Sequence, residues 1–389
     1  MKIIATILCI ALIVYLFRVD RKKSDGVSNA IWIPFIWILF AASRPISFWL
    51  NYWLDIGSSS NFEIEEGNPI ERAYLIILIA AGILVLIKRR VNWQEVLTKN
   101  AWIWLFFIYA ALSFSWSEYP IVSMKRWFKS IGTVIMVLVI LSEGRPYEAI
   151  GVILRRLAFL LLPLSLLFIK YYPALGRTYH TTGGLINTGV TGHKNALGAL
   201  CMISGIYFAW NMLLNRWQSS ELEQRPHYTI FFIMILLTIW LLYIANSATS
   251  VGCLMIAISL FTVARQRAFR QNPSNLLALF IGCVIIYGIL ELAIDVQGAI
   301  ISMLGRRPDL TTRVPMWEEL LTMAKYPMTG FGFESFALGE RRDLMIAHWG
   351  LDGVHNGYLG MYLNLGYIGI IIVFAYMMLG KPDYTTGYS

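Results

Sequence analysis

A chain of 389 residues that is 57% hydrophobic and only 14% charged lies far from the roughly 25% charge of soluble globular domains, which excludes a water-soluble protein. Its net charge of +9 would suggest a nucleic-acid partner in a soluble chain, but the basic residues here sit in short connectors between apolar runs. Membrane orientation, not nucleic acid, accounts for them.

The first run, Met1 to Phe17, contains Lys2 and is followed by Arg18, Arg21, Lys22 and Lys23 where a signal peptide would have small residues for cleavage, so an uncleaved anchor is expected. Further apolar runs lie near 30–50, 70–87, 101–114, 127–142, 157–171, 195–214, 228–245, 247–264, 275–295 and 356–379. Most approach the roughly 20 residues needed to cross about 30 Å of hydrocarbon. The expected fold is all-α: a polytopic membrane bundle of about 11 transmembrane helices with one long periplasmic loop subdomain. Cys9, Cys201, Cys253 and Cys283 lie inside apolar runs with no CxxC spacing and read as packing residues.

Alternate connectors differ in Lys and Arg content. Arg18 to Lys23, Lys88 to Arg90 with Lys99, Arg145 with Arg155 and Arg156, Arg216 with Arg225, and Arg265, Arg267 and Arg270 mark the cytoplasmic side. The opposite set holds an acidic loop with Asp55, Glu63, Glu65, Glu66 and Glu71, a tight turn at Asn246 to Thr249, and the long segment 296–354. A few cations fall on that outer side against the trend: Lys125, Arg126 and Lys129; Lys170, Arg177 and Lys194; and Arg306, Arg307, Arg313, Lys325, Arg341 and Arg342. An anionic ligand such as a lipid diphosphate would give them a purpose, and snorkelling to headgroups is the alternative.

Within the long outer segment, Thr311 or Thr312 can cap a helix bearing Trp317, Leu320, Leu321 and Ala324, with Arg313 and Trp317 four apart on one face. The aromatic and glycine stretch Tyr326 to Phe336 then suits a bent loop dipping into the interface. His180, His193, His348 and His355 fall outside and His227 inside. His355 opens the last run, where a neutral imidazole could take a proton from a sugar hydroxyl or simply hydrogen-bond at a helix start. His193, Lys194 and Asn195 also open a run, forming either an anion site or a plain helix cap. No HExxH, Walker A loop, Gly-x-Ser-x-Gly or paired-cysteine motif is present, so no metal and no other cofactor are expected.

The order of six short motifs resembles the O-antigen ligase family, which includes exopolysaccharide polymerases. They are Ser115-Trp-Ser-Glu-Tyr-Pro120 with Ser123-Met-Lys-Arg126; Thr191-Gly-His-Lys-Asn-Ala-Leu-Gly198; Asn246-Ser-Ala-Thr249; Arg313-Val-Pro-Met-Trp317; Pro327-Met-Thr-Gly-Phe-Gly332; and His355-Asn356. The resemblance implies a bacterial inner-membrane, metal-independent, inverting glycosyltransferase with its active site facing the periplasm. The glycan donor would be linked to undecaprenyl diphosphate, and the acceptor would be lipid A core or a second lipid-linked glycan, with membrane lipids around. It also implies roles: His355 activates the acceptor hydroxyl, Arg313 and Arg126 hold the diphosphate, and Lys125, His193, Lys194, Asn195 and Asn356 contribute to substrate binding.

The corresponding layout is an N-terminal set of spans over 1–112, a ligase-like transmembrane domain over 113–380 that includes the loop 296–354, and a polar tail over 381–389. Family members usually continue with more apolar sequence after the last run, so the polar stretch after Leu379 points to an altered C-terminus. The competing function is a transporter or flippase for the same glycans, which would place ionisable residues at mid-membrane; Glu291 and Asp295 fall near an outer end instead.

Overall fold

A computed structural model describes residues 1–23, 26–54, 68–179, 184–213, 225–272, 274–294 and 313–379. Asp55, Glu63, Glu65, Glu66, His180, Arg216, Asp295, the 296–312 stretch with Arg306, Arg307, Thr311 and Thr312, and the tail from 380 lie outside the described residues, as do the side chains of Lys22, Lys23, Arg225, His227 and Arg270.

The described chain is helical almost throughout, because lipid offers backbone N–H and C=O groups no partner and a helix satisfies them internally. Among the described residues five helices are long and apolar enough to cross a membrane: Lys2–Arg21, Pro69–Lys88, Pro146–Tyr171, Lys194–Leu213 and Gly357–Leu379. Two bent pairs, Asn29–Ala41 with Ile46–Trp53 at 73° and Trp93–Lys99 with Ala101–Ser115 at 85°, raise the number to as many as seven. The multi-pass helical bundle stands, while the count of about eleven is not reached by length and apolarity among the described residues. Pro45 explains the first bend, since it cannot donate into a continuing helix. One element outside the all-α expectation is a short antiparallel ladder in which Arg177–Tyr179 pairs with Leu185–Asn187.

The chain forms two compact units. The first comprises 1–58, 70–86 and 136–284. Its axis is the Pro146–Tyr171 helix, which is buried on nearly every side through Val152, Ile153, Ala158, Phe159, Leu161 and Leu162, the mark of a helix enclosed by others. The first helix, Lys2–Lys23, and the helices Lys194–Leu213 and Arg225–Ala245 pack against it. Between the first helix and this axis, the buried Asp20 pairs with both Arg155 and Arg156, and Arg155 also donates to the Tyr207 hydroxyl at 3.3 Å. Gly198 lies so close to Ser247 that a Cβ there would come within 2.6 Å of the serine Cβ. The Thr191–Gly198 and Asn246–Thr249 motifs therefore meet, and the missing side chain is what lets them.

The second unit comprises 59–69, 87–135 and 285–389. Here the last apolar run is not one unbroken helix: Gly366 has φ 64 and interrupts Gly357–Leu379. The break frees backbone groups that the 327–332 loop then satisfies. Tyr367 N donates to Pro327 O at 2.9 Å and Ile368 N to Met328 O at 3.3 Å, while Phe331 N and Gly332 N donate to Leu363 O and Asn364 O at 3.0 and 2.8 Å. Tyr109 closes the circuit by donating its hydroxyl to Leu365 O at 3.1 Å. A Cβ on Gly366 would overlap the Met328 backbone, and one on Gly330, itself at φ 65, would overlap that of Asn364. Such a broken helix is tolerated only because protein groups replace the lost bonds.

Candidate active site

The 313–354 segment folds onto the start of the last helix around Met316, Leu320, Phe331, Phe336, Val354 and Leu363, which form one buried cluster. The Ser113–Tyr119 stretch grips this segment from the other side. Phe333 N donates to Ser113 Oγ at 2.9 Å, and Glu118 receives Arg341 at 2.8 Å. A side chain at Gly332 would strike Ser117, and one at Gly339 would strike the Tyr119 hydroxyl. Arg341 also donates to Phe336 O at 2.7 Å and lies over the Phe331 ring at 4.4 Å.

On this frame sit the residues singled out from the sequence. Arg126 is half-buried on the Pro120–Leu141 helix and donates to the Glu334 carbonyl; Lys125 is its half-buried neighbour. Arg313 is the first residue of the Arg313–Thr322 helix and makes no hydrogen bond or ion pair among the described residues. One turn on, Trp317 Nε1 donates to Val354 O at 2.9 Å, which fastens the arginine's helix to the residue before His355. His355 is exposed and held at φ 51, a left-handed conformation uncommon outside glycine. Its Nε2 lies 3.7 Å from Asp352 Oδ1, too long for a hydrogen bond. Asn356 caps the last helix, its Oδ1 accepting from Tyr358 N at 3.1 Å and Leu359 N at 3.2 Å. Arg126, Arg313, His355 and Asn356 thus belong to one interlocked assembly.

His193, Lys194 and Asn195 belong to the first unit and form a cluster of their own. His193 Nδ1 accepts from Asn195 N at 3.1 Å, so the cap read as an alternative there is present. Lys194 is half-buried at the start of its helix.

An O-antigen ligase family model matches residues 231–374. The exopolysaccharide production protein ExoQ of Rhizobium meliloti (strain 1021) is 25% identical over 303 residues, an alignment covering 73% of this chain and 65% of that protein. The chain is thus similar to the O-antigen ligase family over its C-terminal part and to ExoQ over most of its length. The matched span of the family model includes Arg313, the glycine loop and His355. The chain covers just under two thirds of ExoQ's length, and no solved structure matches it.

Arg341 and Asp352 in this assembly, and Arg44 in the first unit, take parts that the sequence did not show. Arg341 is a strut of the clamp rather than an outer cation awaiting a ligand. Asp352 faces His355, and a carboxylate three residues before a candidate base was the signal available. Arg44 seemed to lie inside an apolar run; it is buried at the Ser43-Arg44-Pro45 break, donating to Thr191 O at 3.0 Å and Leu175 O at 2.8 Å, and so holds the loop that leads to His193.

Proposed function

We propose that this chain is a metal-independent inverting glycosyltransferase that moves a glycan from undecaprenyl diphosphate to an acceptor sugar on the periplasmic face. In the reaction the acceptor oxygen bonds to the anomeric carbon as the bond to the diphosphate oxygen breaks, its electron pair leaving with the diphosphate. The hydroxyl proton passes to His355, which has the Asp352 carboxylate 3.7 Å from its Nε2. Arg313 and Arg126 neutralise the departing diphosphate, which is already a good leaving group, so charge stabilisation and orientation suffice. The relative's part in exopolysaccharide production favours a second lipid-linked glycan over lipid A core as acceptor.

The observation that carries this reading is the Trp317 to Val354 hydrogen bond at 2.9 Å, which ties the helix of an arginine without a partner among the described residues to the corner that bears His355. The test is glycan transfer in reconstituted membranes with purified lipid-linked donor. Wild-type transfer by both His355→Ala and Arg313→Ala, at normal protein levels, overturns the assignment and favours a transporter. Transfer is expected to survive EDTA, and loss restored by Mg²⁺ or Mn²⁺ counts against the metal-independent chemistry. A reporter fused near Ala337 is expected to behave as periplasmic; a cytoplasmic signal there reverses the sidedness.

A further inference from the structure

In the first unit a cavity of about 620 Å³ lies between the first helix, Trp32 and the Pro146–Tyr171 helix. Its lining changes character along its length. Ile13 and Phe17 face it from the first helix with Leu160 across from them; Arg18 and Arg21 follow on the first helix, with Arg156 across. Residues 13, 17 and 21 recur every four positions on one helix face, so the change from apolar to basic runs along about 12 Å of axis. Leu160 and Arg156, one turn apart on the central helix, repeat the same order.

Among the described residues the charges in this wall do not balance. Three guanidinium groups, those of Arg18, Arg21 and Arg156, line the cavity against the single carboxylate of Asp20. Asp20 is itself taken up by Arg155 and Arg156, and Arg156 also lies over the Trp32 ring at 4.5 Å. Arg18 and Arg21 are exposed and form no salt bridge among the described residues. Cations gathered at the edge of an apolar region call for an anion.

We propose that this cavity holds one anionic phospholipid, with its phosphate between Arg18, Arg21 and Arg156 and the upper part of an acyl chain along Ile13, Phe17 and Leu160. The volume lies within the roughly 300–1,000 Å³ of sites that take organic ligands, and its apolar half offers a free phosphate ion nothing. The Lys and Arg bias of the connectors assigns the basic end to the cytoplasmic side, where anionic headgroups concentrate. Trp32 in the lining, beneath Arg156, suits headgroup depth. A lipid there completes the contact between the first helix and the central one, and it is separate from the glycan donor.

The full chain, purified in a nonionic detergent, is melted with phosphatidylglycerol, with phosphatidylcholine of the same chains, or with glycerol 3-phosphate. Phosphatidylglycerol is expected to raise the melting temperature and the other two to leave it unchanged, and Arg18→Gln with Arg21→Gln is expected to abolish the rise. Phosphatidylglycerol brominated on its acyl chain is expected to quench wild-type tryptophan fluorescence, to be displaced by unlabelled phosphatidylglycerol but not phosphatidylcholine, and to lose part of its effect in Trp32→Phe. Equal effects of the two lipids, a full shift from glycerol 3-phosphate, or a double variant that keeps its shift overturns the proposal; the displacement assay decides on wild-type protein alone if the variants fail to fold.

Discussion

Arg44 in the first unit and Arg313 in the second each sit at the end of a helical segment, and they are used in opposite ways. Arg44 is buried, and its guanidinium is spread over the carbonyls of Leu175 and Thr191. Arg155 is treated alike, closed on Asp20 and the Tyr207 hydroxyl. Arg313 is only half-buried and makes no bond among the described residues, while the helix beneath it is held by Trp317. A buried cation needs its donors satisfied by protein, since the cost of desolvation must be offset on the spot. A cation that stays open on a rigid support keeps its donors for something that arrives later. On the proposed function, the difference separates arginines that build the molecule from one placed to meet the donor.

Removing Asp20 is the strongest way to test the closed side of that contrast. Asp20→Ala strands two buried guanidinium groups and is expected to cost about 3–5 kcal/mol, seen as loss of monodisperse protein after extraction from the membrane; normal yield and melting contradict the buried cluster. On the open side, His355→Ala is expected to cut transfer by about 10²- to 10⁴-fold with melting and glycan-donor binding intact, because the ring is exposed and a base adds little to ground-state affinity. A rise in donor dissociation constant with unchanged turnover would move His355 from base to binder.

A middle-sized effect is expected from Arg313→Ala. Losing one charged hydrogen-bonding partner of a phosphate is worth about 1.5–3 kcal/mol, so donor affinity should fall by roughly 10- to 100-fold. Arg313→Lys should recover only part, since lysine keeps the charge but not the planar fork. Arg44→Ala run beside it should show the reverse pattern, lowered melting before any specific binding defect. If the two variants behave alike, the division between closed and open arginines fails. The smallest effect belongs to Glu118→Gln: its partner Arg341 keeps the Phe336 carbonyl and both rings, and a partly exposed ion pair is worth about 0–1 kcal/mol. Melting should drop slightly with transfer retained, and a large loss would give Glu118 a part beyond the clamp.

Much of the helical bundle was legible in the chain because lipid imposes one rule on every span, an apolar run with its backbone bonds closed internally. The helix bearing Arg313 and Trp317 on one face followed from spacing alone, as did the polar start of the last helix at His355 and Asn356. Hidden from such reading was whatever depends on partners far apart in sequence. Gly366 looks like any glycine in an apolar run until the 327–332 loop arrives to satisfy its broken turn. Ser113, Ser117, Glu118 and Tyr119 form a recognisable string, but only the fold shows that each member meets the 332–341 stretch. Arg44 and Arg341 were indistinguishable by composition from Arg313. Local periodicity is written into neighbouring residues, whereas the carbonyls that hold Arg44 and the carboxylate that holds Arg341 lie more than a hundred positions away.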